Sequence, residues 1–183
     1  MKLVVVANLY EGMNEDYFME WRKALGRQLD MDFELVYTEL QFMNSTLARV
    51  TQEYDAVLML DVDDIPEEAL THVAKINAKK HDVTAISMKL VDEDNVQFGL
   101  FGGKVDVEKY NVWGCGNTVW KSDVLDCLLP FDYSIERPDW AMAREAHREG
   151  FDLHVERLPL IRYRRYNDLQ AGLVKKGDAY AWG

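Results

Sequence analysis

The sequence has few cysteines, few histidines and no apolar run long enough to span a membrane. Two of its 183 residues are cysteines and four are histidines. Cys115 and Cys127 form no Cys-x-x-Cys pair, which argues against a disulfide framework and against a cysteine zinc site. A membrane-spanning helix needs about 20 apolar residues, and the apolar N-terminal run is much shorter and has no cleavage signal after it. We therefore expect a reducing, cytoplasmic setting and no membrane partner.

Basic residues are also in deficit. The chain has 21 Lys and Arg against 32 Asp and Glu, which gives a formal net charge of −11. Such a chain lacks the broad positive field that attracts nucleic acid, so we expect no strong nucleic-acid binding. Hydrophobic residues make up 48% and charged residues 29% of the chain, a balance typical of folded proteins rather than disordered ones. The length fits a single domain over 1–183 and leaves the oligomeric state open.

Apolar runs alternate with helical periodicity in the first 80 or so residues. Strands are predicted at three apolar, β-branched runs, which are 3–9, 33–40 and 56–62. Helices are predicted between and after them, at 17–29, at 44–53 and from 66 onward. Asn44 or Ser45 would cap the second helix, and Pro66 suits the first turn of the third. This alternation predicts a mostly parallel sheet flanked by helices.

The pattern becomes less regular after residue 82. Two further strands are predicted, followed by a glycine-containing loop, two helices and one or two final strands. In order, these elements cover 83–90, 96–101, 113–118, 122–129, 138–149 and 151–165. Glycines and lysines in the last segment, 170–183, predict a loosely held tail.

The third predicted strand ends in three aspartates, Asp61, Asp63 and Asp64. In an open α/β sheet, ligands bind at the carboxyl ends of the strands. Side chains alternate along a strand, so we expect Asp61 and Asp63 to face the same side. Two such carboxylates repel each other unless a hard cation such as Mg²⁺ or Mn²⁺ binds between them, usually together with substrate phosphates. The pattern predicts a metal–diphosphate site, and the alternative is a solvated turn with a helix cap.

At this point the sequence resembles a known enzyme family. Residues 54–66, YDAVLMLDVDDIP, look like the strand and DxD motif of nucleotide-sugar-dependent glycosyltransferases of the GT-A fold, in particular the inverting family-two type. Four further segments are similar to that family in order and spacing: ANLY at 7–10, GCGNTVWKSDVL at 114–125, PFD at 130–132 and PDW at 138–140. The resemblance covers roughly 2–167. It implies a three-layer α/β/α, Rossmann-like GT-A domain with a mixed, mostly parallel sheet.

The resemblance also implies roles for particular residues. Asp139 would be the catalytic base, and Asp63 and Asp61 would hold Mn²⁺ or Mg²⁺ against the diphosphate, with Asp61 nearer the ribose. The donor would be a nucleoside-diphosphate sugar, UDP by default, bound by residues in the half 1–101: Ala7, Asn8, Tyr10, Glu39, Asp61, Val62 and Asp63. An acceptor hydroxyl of unknown identity would bind in the half 102–169, against Trp113, Gly114 and Trp140.

Other interpretations of the same residues stay open. Pro138 stands where the family has an acidic residue, and no histidine follows the last predicted strand, as in a non-catalytic nucleotide-sugar-binding relative. A strand followed by Asp-x-Asp also begins haloacid-dehalogenase-like phosphohydrolases, whose first Asp is a nucleophile, although that motif normally lies on the first strand. Trp113 and Trp140 fit a buried core as well as an acceptor site.

Three arginines near the end of the predicted strands also have two interpretations. Arg162, Arg164 and Arg165 could bind a diphosphate. They could equally point outward from an edge strand, where charged side chains are common. We favour the second interpretation from the sequence.

Overall fold

Nine strands form one mixed sheet in a computed structural model that describes residues 1–92, 94–102, 106–114, 116–135, 137–164 and 179–180. In chain order the strands are β1 (Leu3–Leu9), β2 (Phe33–Glu39), β3 (Ala56–Asp61), β4 (Ile65–Pro66), β5 (Val83–Val91), β6 (Gln97–Phe101), β7 (Thr118–Lys121), β8 (Leu153–Arg164) and β9 (Ala179–Tyr180). The helices are α1 (Glu15–Leu25), α2 (Met43–Val50), α3 (Leu70–Ala78), α4 (Ser122–Leu128) and α5 (Pro138–Arg148), and a 3₁₀ turn covers Leu40–Phe42.

The strand order brings several strand ends to one edge of the sheet. β1 lies between β2 and β3 and pairs in parallel with both. β7 runs antiparallel between β3 and β5, and β5 pairs in parallel with β8. β6 pairs antiparallel with β5, β4 antiparallel with β8, and β9 parallel with β6. The carboxyl ends of β1, β3, β5 and β8 therefore meet the amino end of β7 at the same edge.

The central strands form the core. Leu3–Ala7 of β1 and Ala56–Leu60 of β3 are buried along their whole length, which is expected of parallel strands covered on both faces. Each fully buried Val, Leu or Ile side chain stabilises the fold by about 1.5–3 kcal/mol. The rigid core thus fixes the strand ends at which the side chains of a site are presented. No helix in the described part of the chain is long and apolar enough to cross a lipid bilayer.

The predicted strands at 3–9, 33–40 and 56–62 are confirmed within a residue or two, but the first helix is shorter than its periodicity indicates. α1 ends at Leu25, and Gly26, a poor helix former, follows it. Leu29 is 71% exposed and lies off the apolar stripe. Its backbone N–H donates to the Glu68 carbonyl at 2.7 Å, which draws the chain away from the helix axis.

Two predicted helix starts were wrong. The N-cap of α2 is Phe42 rather than Asn44 or Ser45, because the Asn44 side chain instead bonds to the Phe131 backbone through its Nδ2 and Oδ1 atoms, at 2.9 and 2.8 Å. The third helix begins at Leu70 instead of Pro66. Pro66 belongs to β4, opposite β8.

The second half of the chain also differs from its predicted pattern. The sequence did not predict β7, which fills the gap between β3 and β5. Where one or two strands were predicted in 151–165, the structure has one long strand, β8, over Leu153–Arg164. The prediction that the arginines of this segment point outward was wrong for Arg164, because only 5% of its side chain is exposed. Arg165 and most of the tail 170–183 lie outside the described residues.

Candidate functional site

A cleft of about 350 Å³ opens at the edge where the strand ends meet. It is lined by residues from the end of β3 and the turn after it, from β5 and β6, from the loop before β7, from the start of α5 and from the end of β8. These residues are Asp61, Asp64, Met88, Phe101, Asn111, Gly114, Gly116, Asn117, Arg137, Asp139 and Tyr163. The cleft therefore brings together the DxD segment and Asp139, which are far apart in the sequence.

Asp61 and Asp63 do not face the same side, contrary to what the strand period predicts. β3 ends at Asp61, and Val62–Asp64 form a turn, so the alternation of side chains stops there. Asp61 and Asp64 line the cleft. The Asp63 carboxylate instead accepts a hydrogen bond from the Tyr10 hydroxyl at 3.1 Å.

The acidic turn carries more negative charge than its surroundings neutralise. Burial, followed by repulsion from Asp63 and Asp139, raises the pKa of Asp61 to about 7. Asp64 is 3% exposed, and burial together with Asp63 and Asp61 raises the pKa of that carboxyl well above its usual range. Burial and the Asp63 charge raise the pKa of Tyr10 to about 12. Such a cluster gains stability when it takes up either protons or a cation.

The donor set suits a cation that is held jointly with a substrate. No group of three or more His, Cys, Asp or Glu side chains with metal-binding geometry occurs in the described part of the chain. Mg²⁺ and Mn²⁺ sites with one or two carboxylates and substrate phosphates need no such group. Asp61 supplies an oxygen ligand in the cleft and fits this second kind of site, whereas Asp63 would have to turn from its hydrogen bond with Tyr10 to join it.

The predicted nucleotide-binding residues surround the first strand ends. The Asn8 side chain hydrogen-bonds to Asp61, and its buried Oδ1 has no hydrogen-bond partner within the described ranges. Ala7 and Val62 are fully buried, so neither residue presents surface to a ligand in this structure. Glu39 is exposed at the end of β2, where its carboxylate accepts from the Gln41 amide at 2.8 Å.

Two glycines allow the loop before β7 to approach the acidic side chains closely. A Cβ atom on Gly116 would lie 2.4 Å from Asp61 Oδ2, and one on Gly114 would lie 3.6 Å from Asp139 Oδ2. Asn117, which is 1% exposed, fixes the loop. Its Oδ1 accepts from Gly114 N at 2.7 Å and its Nδ2 donates to the Ile86 and Val112 carbonyls at 2.8 and 3.0 Å.

Asp139 lies in the first turn of α5, across this loop from Asp61. One of its carboxylate oxygens accepts from the Trp140 backbone N–H at 2.9 Å. Arg137 precedes α5 with a left-handed backbone (φ 58°) and lines the cleft. A left-handed non-glycine residue at a helix start is uncommon. Here it lies two residues before Asp139, and both residues line the cleft.

The two tryptophans predicted to bind an acceptor lie in different surroundings. Trp113 is fully buried (0% exposed), so its ring has no surface on which an acceptor could stack, and the core interpretation holds. Trp140 is half-buried, and its indole N–H donates to the Val107 carbonyl at 2.7 Å. The guanidinium carbons of Arg137 and Arg144 lie 5.9 and 5.6 Å from the centre of its ring.

Sequence reasoning missed several residues that line the cleft, namely Asn111, Asn117, Arg137 and Tyr163. Two of them could have been found. Asn117 lies within the glycine-containing loop, and Arg137 is two residues before Asp139. Tyr163 reaches the cleft because β8 pairs in parallel with β5, which the sequence alone does not reveal.

Solved structures show similarity that sequence comparison does not. No protein-family model matches the sequence, and no curated protein matches it. Crystal structures of S. aureus TarS 1–349 in complex with UDP-GlcNAc and with UDP match with TM-scores of 0.66 and 0.64, at 17% and 16% identity, over 90% of this chain. A197 from STIV matches with a TM-score of 0.56 and 16% identity, over 88% of this chain and 83% of that one.

The chain has the GT-A fold. It spans 59% of TarS 1–349 in the UDP-GlcNAc complex. Its GT-A core is a mixed sheet in which β7 lies antiparallel among parallel strands. The cleft lies at the carboxyl edge of that sheet, where open α/β folds bind their ligands.

Proposed function

We propose that the protein is a glycosyltransferase that moves a sugar from a nucleoside-diphosphate donor to an acceptor hydroxyl. The observation that carries the proposal is the placement of Asp61 and Asp139 on either side of the Gly114–Gly116 loop in one cleft of a GT-A fold. Two matched structures are complexes with UDP-GlcNAc and UDP, which makes UDP the first donor nucleotide to test.

The diphosphate would bind at the acidic turn. Asp63 and Asp61 would hold Mn²⁺ or Mg²⁺ jointly with the phosphate oxygens, and Asn8 and Tyr10 already contact these two carboxylates. When bound, the cation supplies charge stabilisation for the departing diphosphate. The nucleoside would lie along the ends of β1 and β2, toward Glu39.

Asp139 would act as the general base. Its carboxylate would take the proton of the acceptor hydroxyl as that oxygen attacks the anomeric carbon. The new bond forms as the bond from that carbon to the diphosphate oxygen breaks, so the configuration inverts in one displacement and no protein nucleophile is needed. The sugar would bind in the cleft beside this loop, whose two glycines carry no side chain toward Asp61 or Asp139.

The phosphohydrolase alternative receives no support from the geometry. Asp61 would have to act as a nucleophile on the first strand of that fold, whereas it ends β3, the third strand along this chain. The second acid of the cleft, Asp139, comes from a helix. The matched solved structures likewise support the GT-A arrangement.

The proposal is tested first by ligand-induced stabilisation. UDP, GDP, CDP and dTDP are added with and without Mn²⁺ to wild type, to Asp63→Ala and to a control, Asp123→Asn, which removes an exposed charge on α4. A ligand at about 100 times its dissociation constant stabilises the fold by about 2.7 kcal/mol, or roughly 5–10 °C in Tm. We expect a Mn²⁺-dependent shift with one nucleotide, lost in Asp63→Ala only. No shift with any nucleotide would overturn the proposal.

Turnover then separates an enzyme from a binding protein. With the matching nucleotide sugar, wild type should release nucleoside diphosphate, and Asp139→Asn should bind the donor equally well while losing about 10²–10⁴-fold in rate. Binding without any turnover over a broad acceptor panel would instead identify a non-catalytic nucleotide-sugar-binding relative.

A further inference from the structure

Arg164, the last residue of β8, lies behind the acidic turn rather than in the cleft. Its guanidinium donates one hydrogen bond to the main-chain carbonyl of Asp63 and another to the Glu20 carboxylate. The guanidinium carbon also lies 4.1 Å from the centre of the Tyr17 ring. Only 5% of its side chain is exposed. Arg164 therefore packs against the buried side of the turn and not against the cleft.

The backbone of Arg164 holds the same turn at a second point. Its N–H donates to Asp64 Oδ1 at 3.2 Å. Thus one residue of β8 contacts both Asp63 and Asp64, which follow the end of β3 and lie outside its pairing with β1 and β7. The three neighbouring carboxylates repel one another, and within the described strand pairings Asp63 has no partner, so these contacts of Arg164 help to hold the turn in place.

The charge of Arg164 is already matched inside the fold. Glu20 and Tyr17 lie three residues apart on α1, on the side of the helix that faces the turn. The Glu20 carboxylate pairs with the charge of the guanidinium, and the Tyr17 ring lies against its flat face. Glu20 offsets part of this positive charge, and the hydrogen bonds of Arg164 fix the geometry of the turn. A planar guanidinium suits this task because its N–H donors point in fixed directions.

We propose that Arg164 is the positioning residue of the proposed diphosphate site: by fixing Asp63 and Asp64 between β8 and α1, it presents the acidic turn to a nucleoside diphosphate and its cation. This inference rests on the proposed function. It assigns Arg164 no contact with the donor, since its donors are directed at Asp63 and Glu20.

The first experiment needs no ligand. Amide hydrogen exchange is measured on the peptide that covers 61–65 in wild type, in Arg164→Lys, and in the control Arg162→Lys. The control residue lies two positions earlier on β8 and pairs with Glu67 at 3.4 Å. Lysine keeps the charge and loses the rigid fork. We expect exchange at 61–65 to accelerate by about tenfold or more in Arg164→Lys and to stay at the wild-type rate in Arg162→Lys. Equal rates in all three proteins would overturn the inference.

The second experiment links the turn to the diphosphate. Affinities for UDP with Mn²⁺ and for uridine, which lacks phosphates, are measured by calorimetry. Residues that orient metal ligands typically contribute 10–100-fold to affinity, so Arg164→Lys should weaken UDP binding by about tenfold or more and leave uridine binding within about twofold. An equal loss for both ligands would indicate general damage to the fold and overturn the positioning role.

Two substitutions of Glu20 separate geometry from charge and cover a failure of Arg164→Lys to fold. Glu20→Gln keeps an oxygen that accepts from the guanidinium, and we expect UDP affinity within about threefold of wild type. Glu20→Ala removes that anchor and should weaken UDP binding in the same direction as Arg164→Lys. Tighter metal-free UDP binding in Glu20→Gln would show that charge matters instead. If wild type binds no nucleotide, the proposed function fails, and the exchange experiment still decides the role of Arg164 in the turn.

Discussion

At the scale of single residues, Gly116 sets how closely the loop before β7 approaches Asp61. A Cβ atom there would lie 2.4 Å from Asp61 Oδ2 and 2.9 Å from Asp61 Cγ, so Gly116→Ala must displace the carboxylate or the loop. A displacement of about 1 Å in such a site costs about 100-fold in rate. We expect Gly116→Ala to slow the proposed sugar transfer by about that factor, measured as diphosphate release.

The matched control is Gly26→Ala, because a Cβ atom at Gly26 meets its nearest neighbour at 3.4 Å, far from the cleft. That variant should keep wild-type turnover. Wild-type turnover in Gly116→Ala as well would show that Asp61 does not need its present position.

Asn44 offers a second prediction at this scale. Its side chain makes a pair of hydrogen bonds to the Phe131 backbone and so joins α2 to the loop after α4. Asn44→Ala leaves these partly buried backbone groups without partners, which should lower the free energy of unfolding by about 1–3 kcal/mol in urea titrations.

Ser45→Ala on the same helix is the control, since its exposed hydroxyl only donates to the Phe42 carbonyl, and it should stay within about 0.5 kcal/mol of wild type. A similarly small change in Asn44→Ala would contradict the structural role of its paired hydrogen bonds.

At the scale of elements, β8 and the segment before β5 are joined by two stacked histidines. The rings of His81 and His154 lie 4.1 Å apart, and His81 contacts Asp152 at 2.7 Å. Burial and the charge of His81 lower the pKa of His154 below its usual 6.5, while Glu156 and Asp152 act weakly in the opposite direction. The folded protein therefore resists a proton that the unfolded chain accepts.

This difference makes stability depend on pH in a definite direction. As the pH falls through 6.5, the usual pKa of His154, the unfolded state takes up the proton first and the free energy of unfolding decreases. Between about pH 7.5 and 5, wild type should lose more stability than His154→Gln, measured by urea titration. Parallel curves, or a midpoint for His154 above 6.5 in an NMR titration, would contradict the prediction.

The elements that the sequence predicted are those with long local patterns. The apolar runs of β1 and β3 are buried on both faces and confirmed as strands. β7 has only four residues and is followed directly by α4. It is therefore too short to show the alternation of apolar and polar residues that would predict a strand. Pro66 suits both a helix start and an edge strand, and pairing with β8 decided between them.

The site divides in the same way. Sequence motifs predicted the acidic turn and Asp139, and the structure brings Asp61 and Asp139 into one cleft. The direction of the Asp63 side chain could not be predicted, because β3 ends at Asp61, two residues before it, and the alternation of side chains stops there. The contacts of Arg164 could not be predicted either, since its partners come from α1 and from the turn after β3, which are distant in the sequence.

At the scale of the whole molecule, the net charge of −11 opposes the approach of the proposed anionic donor. Charges act over about 30 Å at 0.01 M salt and about 10 Å at 0.1 M. We therefore expect the association rate of UDP, at fixed Mn²⁺, to rise as NaCl increases from about 10 to 100 mM. Stopped-flow tryptophan fluorescence measures this rate, and uncharged uridine is the control. A rate for UDP that falls with salt would reveal local attraction strong enough to outweigh the net charge.

The contacts of Arg164 also have a consequence for the order in which the protein is made. Arg164 lies 100 positions after Asp64 and 144 after Glu20. A ribosome that adds about 5–20 residues per second needs roughly 5 to 20 s to pass from the aspartate to the arginine. Throughout that interval the nascent chain contains the aspartates of the acidic turn but not Arg164, which contacts the turn in the folded protein. The proposed donor site is therefore complete only after the ribosome has passed Arg164, and a stalled or shortened chain that stops earlier would have the sheet's first strands without that site.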